Sequence, residues 1–171
     1  MSKDYFVGKN SLITDDVVIG KGSKIWHFCN LYGCIIGENT QVGSYSEIKK
    51  DARIGNNCRL QSYVFVPEGT IIGNSVFVGP RATFLNDMFP TAEKASRGEW
   101  KLEEVVVEDN ATIGGGAIIR PGIKIGIYSF IGGGSMVTKD VKPYSVVVGN
   151  PARIIGDVRD KKYAALMHNL K

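Results

Sequence analysis

From Cys34 to Asp87 the chain repeats every six residues: CIIGEN, TQVGSY, SEIKKD, ARIGNN, CRLQSY, VFVPEG, TIIGNS, VFVGPR, ATFLND. The third place of each block is apolar throughout (Ile36, Val42, Ile48, Ile54, Leu60, Val66, Ile72, Val78, Phe84). The first is small or β-branched (Cys34, Thr40, Ser46, Ala52, Cys58, Val64, Thr70, Val76, Ala82). First and third places share one face of a short strand while the second points away. The last three residues turn the chain, and Gly37, Gly43, Gly55, Gly73 and Gly79 suit conformations that side chains resist. A fixed short period is the signature of a solenoid whose rungs bury their faces against one another. Three blocks per coil predict a triangular prism filled by aliphatic stacks.

The period also runs through NSLITD, DVVIGK, GSKIWH and FCNLYG, with Ile13, Ile19, Ile25 and Leu31 inward. Leu31 to Ile36 is a step of five, which predicts one tightened corner. The period stops after Asp87, is absent from MFPTAEKASRGEWKLEE, and resumes with Val107, Ile113, Ile119, Ile125, Ile131 and Val137 inward. A long excursion inside a strict period is expected to be functional or disordered. The organisation is therefore one solenoid domain over residues 1–156, with the excursion at 88–104 and a polar tail at 157–171 that reads as a short capping helix.

Composition narrows the classes. The chain has 171 residues, is 43% hydrophobic and 22% charged, and suits a single packed domain. A net charge of +4, scattered along the chain, makes no case for nucleic acid but suits a phosphorylated ligand. No apolar run reaches the roughly 20 residues that span a bilayer, so no membrane partner is expected. The first 16 residues lack the apolar centre of a signal peptide, and a cytoplasmic protein is the simplest reading. Cys29, Cys34 and Cys58 each stand two residues before an inward aliphatic and read as small core fillers. Two histidines and these cysteines are too few and too scattered for a zinc site. Among the outward places, Phe65, Ile71 and Phe77 on successive blocks, with Ile118, Phe130 and Met136 further on, are apolar. They predict an interface between copies of the chain.

The hexads, the single excursion and the ending VTKDVKPYSVVVGNPARIIG together resemble the left-handed β-helix acyltransferases. The resemblance spans Ile13 to Gly156. It implies an all-β left-handed parallel β-helix, a homotrimer with each active site between two subunits, and acetyl-CoA as donor without a metal. KIWHF in an early coil and VFVGPRATFLNDMFP before the excursion resemble the N-acetyltransferases of nucleotide-linked 3-amino sugars. That branch implies an acceptor that is a dTDP-3-amino-3,6-dideoxyhexose or, second, a UDP-2-acetamido-3-amino-glucuronate, used in making surface polysaccharides such as the O-antigen of lipopolysaccharide. The match departs at Leu85 and Thr91.

Acyl transfer to a hydroxyl needs a base, and many hexapeptide-repeat O-acetyltransferases carry a His on the long loop for it. This excursion has no His. A neutral amine attacks a thioester unaided, so the missing His favours an amino acceptor over the xenobiotic or serine O-acetyltransferase alternative. A γ-class carbonic anhydrase needs three His ligands and is excluded by two. A non-enzymatic solenoid has no use for the excursion. Candidate catalytic residues are Asn86 and Asp87, which close the last regular hexad and can orient the amine or accept its proton, and His27. Trp26, His27, Gln61, Tyr63, Arg81 and Asn86 are candidates for binding the acceptor, Trp26 by stacking and Arg81 by its fork geometry toward a diphosphate. Gly114-Gly115-Gly116 and Gly132-Gly133-Gly134 leave a bare corner along which a pantetheine arm can lie. Lys139, Lys142 and Arg153 are candidates for its phosphates. The structural alternatives are a turn for Asn86 and Asp87, a packing pair for Trp26 and His27, and solvated surface for the lysines. His168 in the tail is read as solvated.

Overall fold

The computed structural model describes residues 4–167. Two-residue strands recur at each hexad and stack in parallel into three sheets. Successive strands go to the first, second and third face in turn. Phe6–Val7, Lys24–Ile25, Gln41–Val42, Arg59–Leu60, Phe77–Val78, Thr112–Ile113 and Phe130–Ile131 build the first face. The expected inward residues from Ile25 to Val137 are buried, while Ile13 and Ile19, in the first coils, are half-covered. Small first-place residues fill the space between these aliphatic stacks.

The first places do more than fill. Thr40 donates from Oγ1 to the carbonyl of Gly55 (2.8 Å) and accepts the amide of Cys58 (2.9 Å), so one buried hydroxyl ties two rungs. Ser23, Ser46 and Ser11 form the same relay, and the thiols of Cys29 and Cys58 donate to Gly43 and Gly73. All three cysteines are thus core fillers, and Cys29 and Cys58 also donate weak hydrogen bonds. The buried hydroxyl of Thr70 has no partner among the described residues. The equivalent acceptor one rung on would be Leu85, where the chain leaves for the excursion, so the relay is interrupted at its root.

The excursion enters and leaves without disturbing register. Paired residues stand 18 apart below it (Phe65 with Thr83) and 35 apart across it (Ile71 with Val106), so 17 residues are inserted between two rungs. Within it, Ala92–Arg97 forms a short helix capped by the Thr91 side chain and closed by Gly98 at φ 67°, with no buried residue. The tightened corner falls at Gly33, at φ 46°, whose amide is taken by Asp16 and Thr14.

Two expectations need correction. Phe65, Ile71 and Phe77 do not form one patch, because successive hexads face different sides and these three lie on the second, third and first faces. Columns do exist on single faces, such as Phe65, Thr83, Ile118 and Met136 on the second. The ending also differs. Ser145–Gly149 and Ala152–Asp157 form an antiparallel hairpin about a cis Asn150–Pro151 bond, and the tail continues as the 3-10 helix Lys161–Met167. The hairpin strand runs one residue past the Gly156 boundary expected for the solenoid. His168 lies outside the described residues.

Thr40→Val should test the relay. It keeps the shape but leaves the Cys58 amide without its acceptor, at a cost of about 1–3 kcal/mol. Denaturant unfolding should show that loss, while Val76→Ala, in the same column without a hydroxyl, should lose only packing. Equal stability of Thr40→Val and the parent would contradict the relay.

Candidate functional site

Exact register stacks each corner into a column, and the candidate residues fall into two of them. The corner between the first and second faces carries Trp26-His27-Phe28, Gly43-Ser44-Tyr45, Gln61-Ser62-Tyr63, Gly79-Pro80-Arg81 and the two glycine triplets in ascending order. Each rung hangs on the one below: Tyr45 N–H on His27 O, Tyr63 on Ser44, Arg81 on Ser62, Gly116 on Pro80 and Gly134 on Gly115, at 2.8–3.1 Å. Trp26, His27, Gln61, Tyr63, Arg81, Gly114, Gly115, Gly132 and Gly133 therefore share one edge of the prism. Asn86 and Asp87 do not. They sit at the corner between the second and third faces, at the root of the excursion.

On the first edge, His27 accepts the Lys9 amide at Nδ1 (2.9 Å). A neutral ring so held carries its proton on Nε2 and presents a donor outward, which leaves no free lone pair to act as a base. Its ring packs between Phe6, Trp26 and Phe28, with centroids about 6.4–6.5 Å apart. Trp26 meets Phe6 edge-on at 5.8 Å and stays partly exposed. Gly114 is required by packing, because a Cβ would come within 2.4 Å of the Gly133 nitrogen. The amides of Gly115 and Gly133 donate to no group among the described residues. Two backbone N–H groups on consecutive rungs are thus available to a ligand oxygen.

On the second edge, Asn86 donates from Nδ2 to the Glu68 carboxylate (3.2 Å) and to the Glu68 carbonyl (3.3 Å). Glu68 in turn pairs with Lys49 at 3.1 Å. With its amide nitrogen committed downward, Asn86 keeps its side-chain oxygen for an N–H donor. Asp87 accepts the Phe89 amide at Oδ1 (2.9 Å), a local turn bond that leaves Oδ2 open. Arg120, one rung above, lies against the Met88 sulfur. Glu68 and Arg120 were not among the expected residues. The signal was available: Glu68 stands 18 positions before Asn86, one rung below it.

The cationic candidates line two neighbouring clefts. Lys139 and Arg153 line one cleft of about 290 Å³ with Val137, Thr138, Val147 and Ala152. Lys142 lines another with Glu108, Lys124 and Pro143, where Lys124 pairs with Glu108 at 2.7 Å and holds that carboxyl below its usual range. The two clefts adjoin, sharing Asp140 and Val141. Burial raises all three thiols, that of Cys34 up to about 12. Among the described residues no group of three or more His, Cys, Asp or Glu is placed to hold a metal.

A parallel prism of hexads with one excursion and a bare glycine edge defines the class of hexapeptide-repeat left-handed β-helix proteins. The family model described as "GMPPB C-terminal domain" matches residues 1–95, and the one described as "Hexapeptide repeat of succinyl-transferase" matches residues 104–139. The first of these spans more than half of the chain, which belongs to that family. It is 34% identical over 135 residues to the galactoside O-acetyltransferase of Escherichia coli, covering 75% of this chain and 66% of that one. A hexapeptide-repeat acetyltransferase of Vibrio cholerae, solved with acetyl-CoA, is 26% identical, with TM-score 0.54 and coverage of 75% and 73%. AntD, an N-acyltransferase of Bacillus cereus solved with dTDP-4-amino-4,6-dideoxyglucose and coenzyme A, is 21% identical, with TM-score 0.64 and coverage of 96% and 89%, a likeness of fold. The chain spans about half to two thirds of the length of the curated relatives it matches.

Burial of the thiols makes a direct forecast. Cys29, Cys34 and Cys58 should resist a thiol reagent at pH 8 in the folded protein and react together on unfolding. Rapid labelling of one under native conditions would contradict their placement.

Proposed function

We propose that the protein is an acetyl-CoA-dependent N-acetyltransferase acting on the amino group of a nucleotide-linked sugar, a 3-amino-3,6-dideoxyhexose on dTDP being favoured. The observation that carries the chemistry is the pairing of an acceptor oxygen with an absent base. Asn86 has its amide nitrogen held by Glu68, and the only histidine among the described residues, His27, has Nδ1 occupied. Such an arrangement can hold an amine but has no imidazole to deprotonate a hydroxyl. The Vibrio cholerae relative's complex with acetyl-CoA supports the donor, and AntD's ligands suit an amino-sugar acceptor through fold alone.

In this reading the amine nitrogen attacks the thioester carbonyl, a C–N bond forms, and the C–S bond breaks to release the CoA thiolate. The ammonium proton passes to Asp87 Oδ2 or to the departing thiolate. Backbone N–H groups polarise the carbonyl oxygen as negative charge develops on it. His27 donates from Nε2 to a sugar or phosphate oxygen and serves binding rather than proton transfer.

Because the two edges lie on opposite sides of the second face, the site is assembled from the glycine edge of one protomer and the Asn86 edge of another in a homotrimer. The excursion supports this: its helix buries nothing on its own protomer, and Phe89, Trp100 and Leu102 are exposed. Synthesis of surface polysaccharide in the cytoplasm is the setting such a substrate implies.

Product analysis tests the proposal. Incubation with acetyl-CoA and a panel of dTDP- and UDP-linked amino sugars should release CoA and give an amide, and galactosides should give no ester. An ester alone would establish the O-acetyltransferase reading instead. For the amide reaction, kcat/KM should rise with pH through the amine's pKa of about 8, as the neutral fraction grows. Asp87→Asn should cost roughly 100-fold or less, near the low end for a general base. Asn86→Ala should lower kcat more than His27→Asn, which should mainly raise the acceptor KM. Loss of turnover at saturating substrate in His27→Asn, with Asn86→Ala unaffected, would contradict these roles.

A further inference from the structure

The edge that carries the glycine triplets holds one residue per rung at positive φ. Above Asn10, at φ 59°, these are in order Phe28, Tyr45, Tyr63, Arg81, Gly116 and Gly134, with φ of 59°, 62°, 63°, 60°, 68° and 67°. The Phe28 and Tyr45 rings stack 5.0 Å apart and within 3° of parallel; Tyr45 and Tyr63 stack at 4.9 Å and 9°. The Arg81 guanidinium lies over Tyr63, 5.7 Å from its centroid. This is close to the strand spacing of about 4.8 Å, so register alone stacks whatever planar groups this place carries. Each non-glycine residue in the left-handed region costs about 1–2 kcal/mol. Stacking offsets part of that, at about 0.5–1.5 kcal/mol per aromatic pair.

The ladder ends at Arg81. Gly116 hangs on Pro80 by the same bond that holds Arg81 to Ser62, so it occupies the next place and presents no side chain. A Cβ there would meet nothing nearer than 3.9 Å, and one at Gly134 nothing within 4 Å. A second ladder gives an internal comparison. Tyr128 and Tyr144 stack at 5.4 Å, and Arg159 covers Tyr144 at 4.3 Å while pairing twice with Asp157, at 2.8 and 2.6 Å. That cation is neutralised. Arg81 has no carboxylate partner among the described residues. It is a planar cation with one face on a tyrosine, the other uncovered, and its charge unpaired.

We propose that the planar base of a nucleotide stacks on the open face of Arg81 at the level of Gly116, with its phosphates on the guanidinium edge. The inference rests on the reading of the protein as a nucleotide-using acyltransferase and adds where the base is held. Both ligands of that reading carry such a base, the adenine of CoA and the base of the nucleotide sugar.

Calorimetric titration of the intact protein with CoA, dTDP, UDP and base-free pyrophosphate tests it. Two variants are used: Arg81→Lys, which keeps the charge but removes the flat face, and Gly116→Tyr, which adds the ladder's next ring at a φ that Tyr45 and Tyr63 already adopt. Stacking on a base is worth about 1–3 kcal/mol, so each variant should weaken the bound nucleotide by about tenfold or more, with pyrophosphate little changed. Loss confined to CoA assigns the adenine; loss confined to dTDP or UDP assigns the acceptor. Unchanged nucleotide affinity in Arg81→Lys, an equal loss for pyrophosphate, or no nucleotide binding by the parent would overturn the proposal. If Gly116→Tyr does not fold, Arg81→Lys decides alone. Since binding is read without turnover, an inactive protein that binds through Arg81 sinks only the acetyltransferase reading. An active enzyme indifferent to both variants sinks only the stacking site.

Discussion

Parallel register between rungs is the constraint on which everything else in this molecule rests. Each strand contributes only two residues, too few to hold a place by its own hydrogen bonds. Register is enforced by the inward aliphatic of every hexad and by hydroxyls such as those of Thr40 and Ser46 that bridge rungs inside the core. A slip of one residue would turn Ile48 or Val66 to solvent and bury Glu47 or Phe65 instead. Once register is fixed, residues 17 or 18 positions apart are placed one above another, and side chains that are unremarkable singly become columns. The aromatic ladder, the bare glycine edge and the Lys49–Glu68–Asn86 chain are all products of that one constraint.

The same constraint separates chemistry onto different edges. Residues that follow one another in sequence, such as Arg81 and Asn86, stand on two corners with a face of the prism between them. The excursion is free of register, and it leaves from the Asn86 edge with exposed aromatic side chains. A rigid prism can bring its two edges together only by pairing with other prisms. In the proposed trimer that pairing supplies the cleft a single protomer lacks, and it gives the apolar columns on the outer faces something to cover them.

Much of this was legible in the residues. The period of six predicts the prism and its core down to individual side chains, because burial alternates with the strand whatever the rest of the chain does. The step of five between Leu31 and Ile36 correctly marked a tightened corner. Adjacency across rungs was harder to see. Phe65, Ile71 and Phe77 looked contiguous because neighbouring hexads were compared, whereas neighbours in space are three hexads apart. Glu68 beneath Asn86 was missed for the same reason, and the Lys9 amide on His27 needs a contact between rungs that no local pattern reports. The hairpin Ser145–Gly149 with Ala152–Asp157 follows the end of the period, where register no longer dictates the path.

Subunit complementation tests the central claim, that the functional site combines two edges from different protomers. Arg81→Ala and Asn86→Ala proteins, each with acetyl transfer strongly reduced, are unfolded together and refolded as a mixture. If each site lies between subunits of a closed ring, roughly a quarter of the sites in an equal mixture regain both native residues, and activity returns in proportion. If both edges served one site within a single protomer, every site in the mixture would still lack one residue. Mixed trimers no more active than the separate variants would contradict the account.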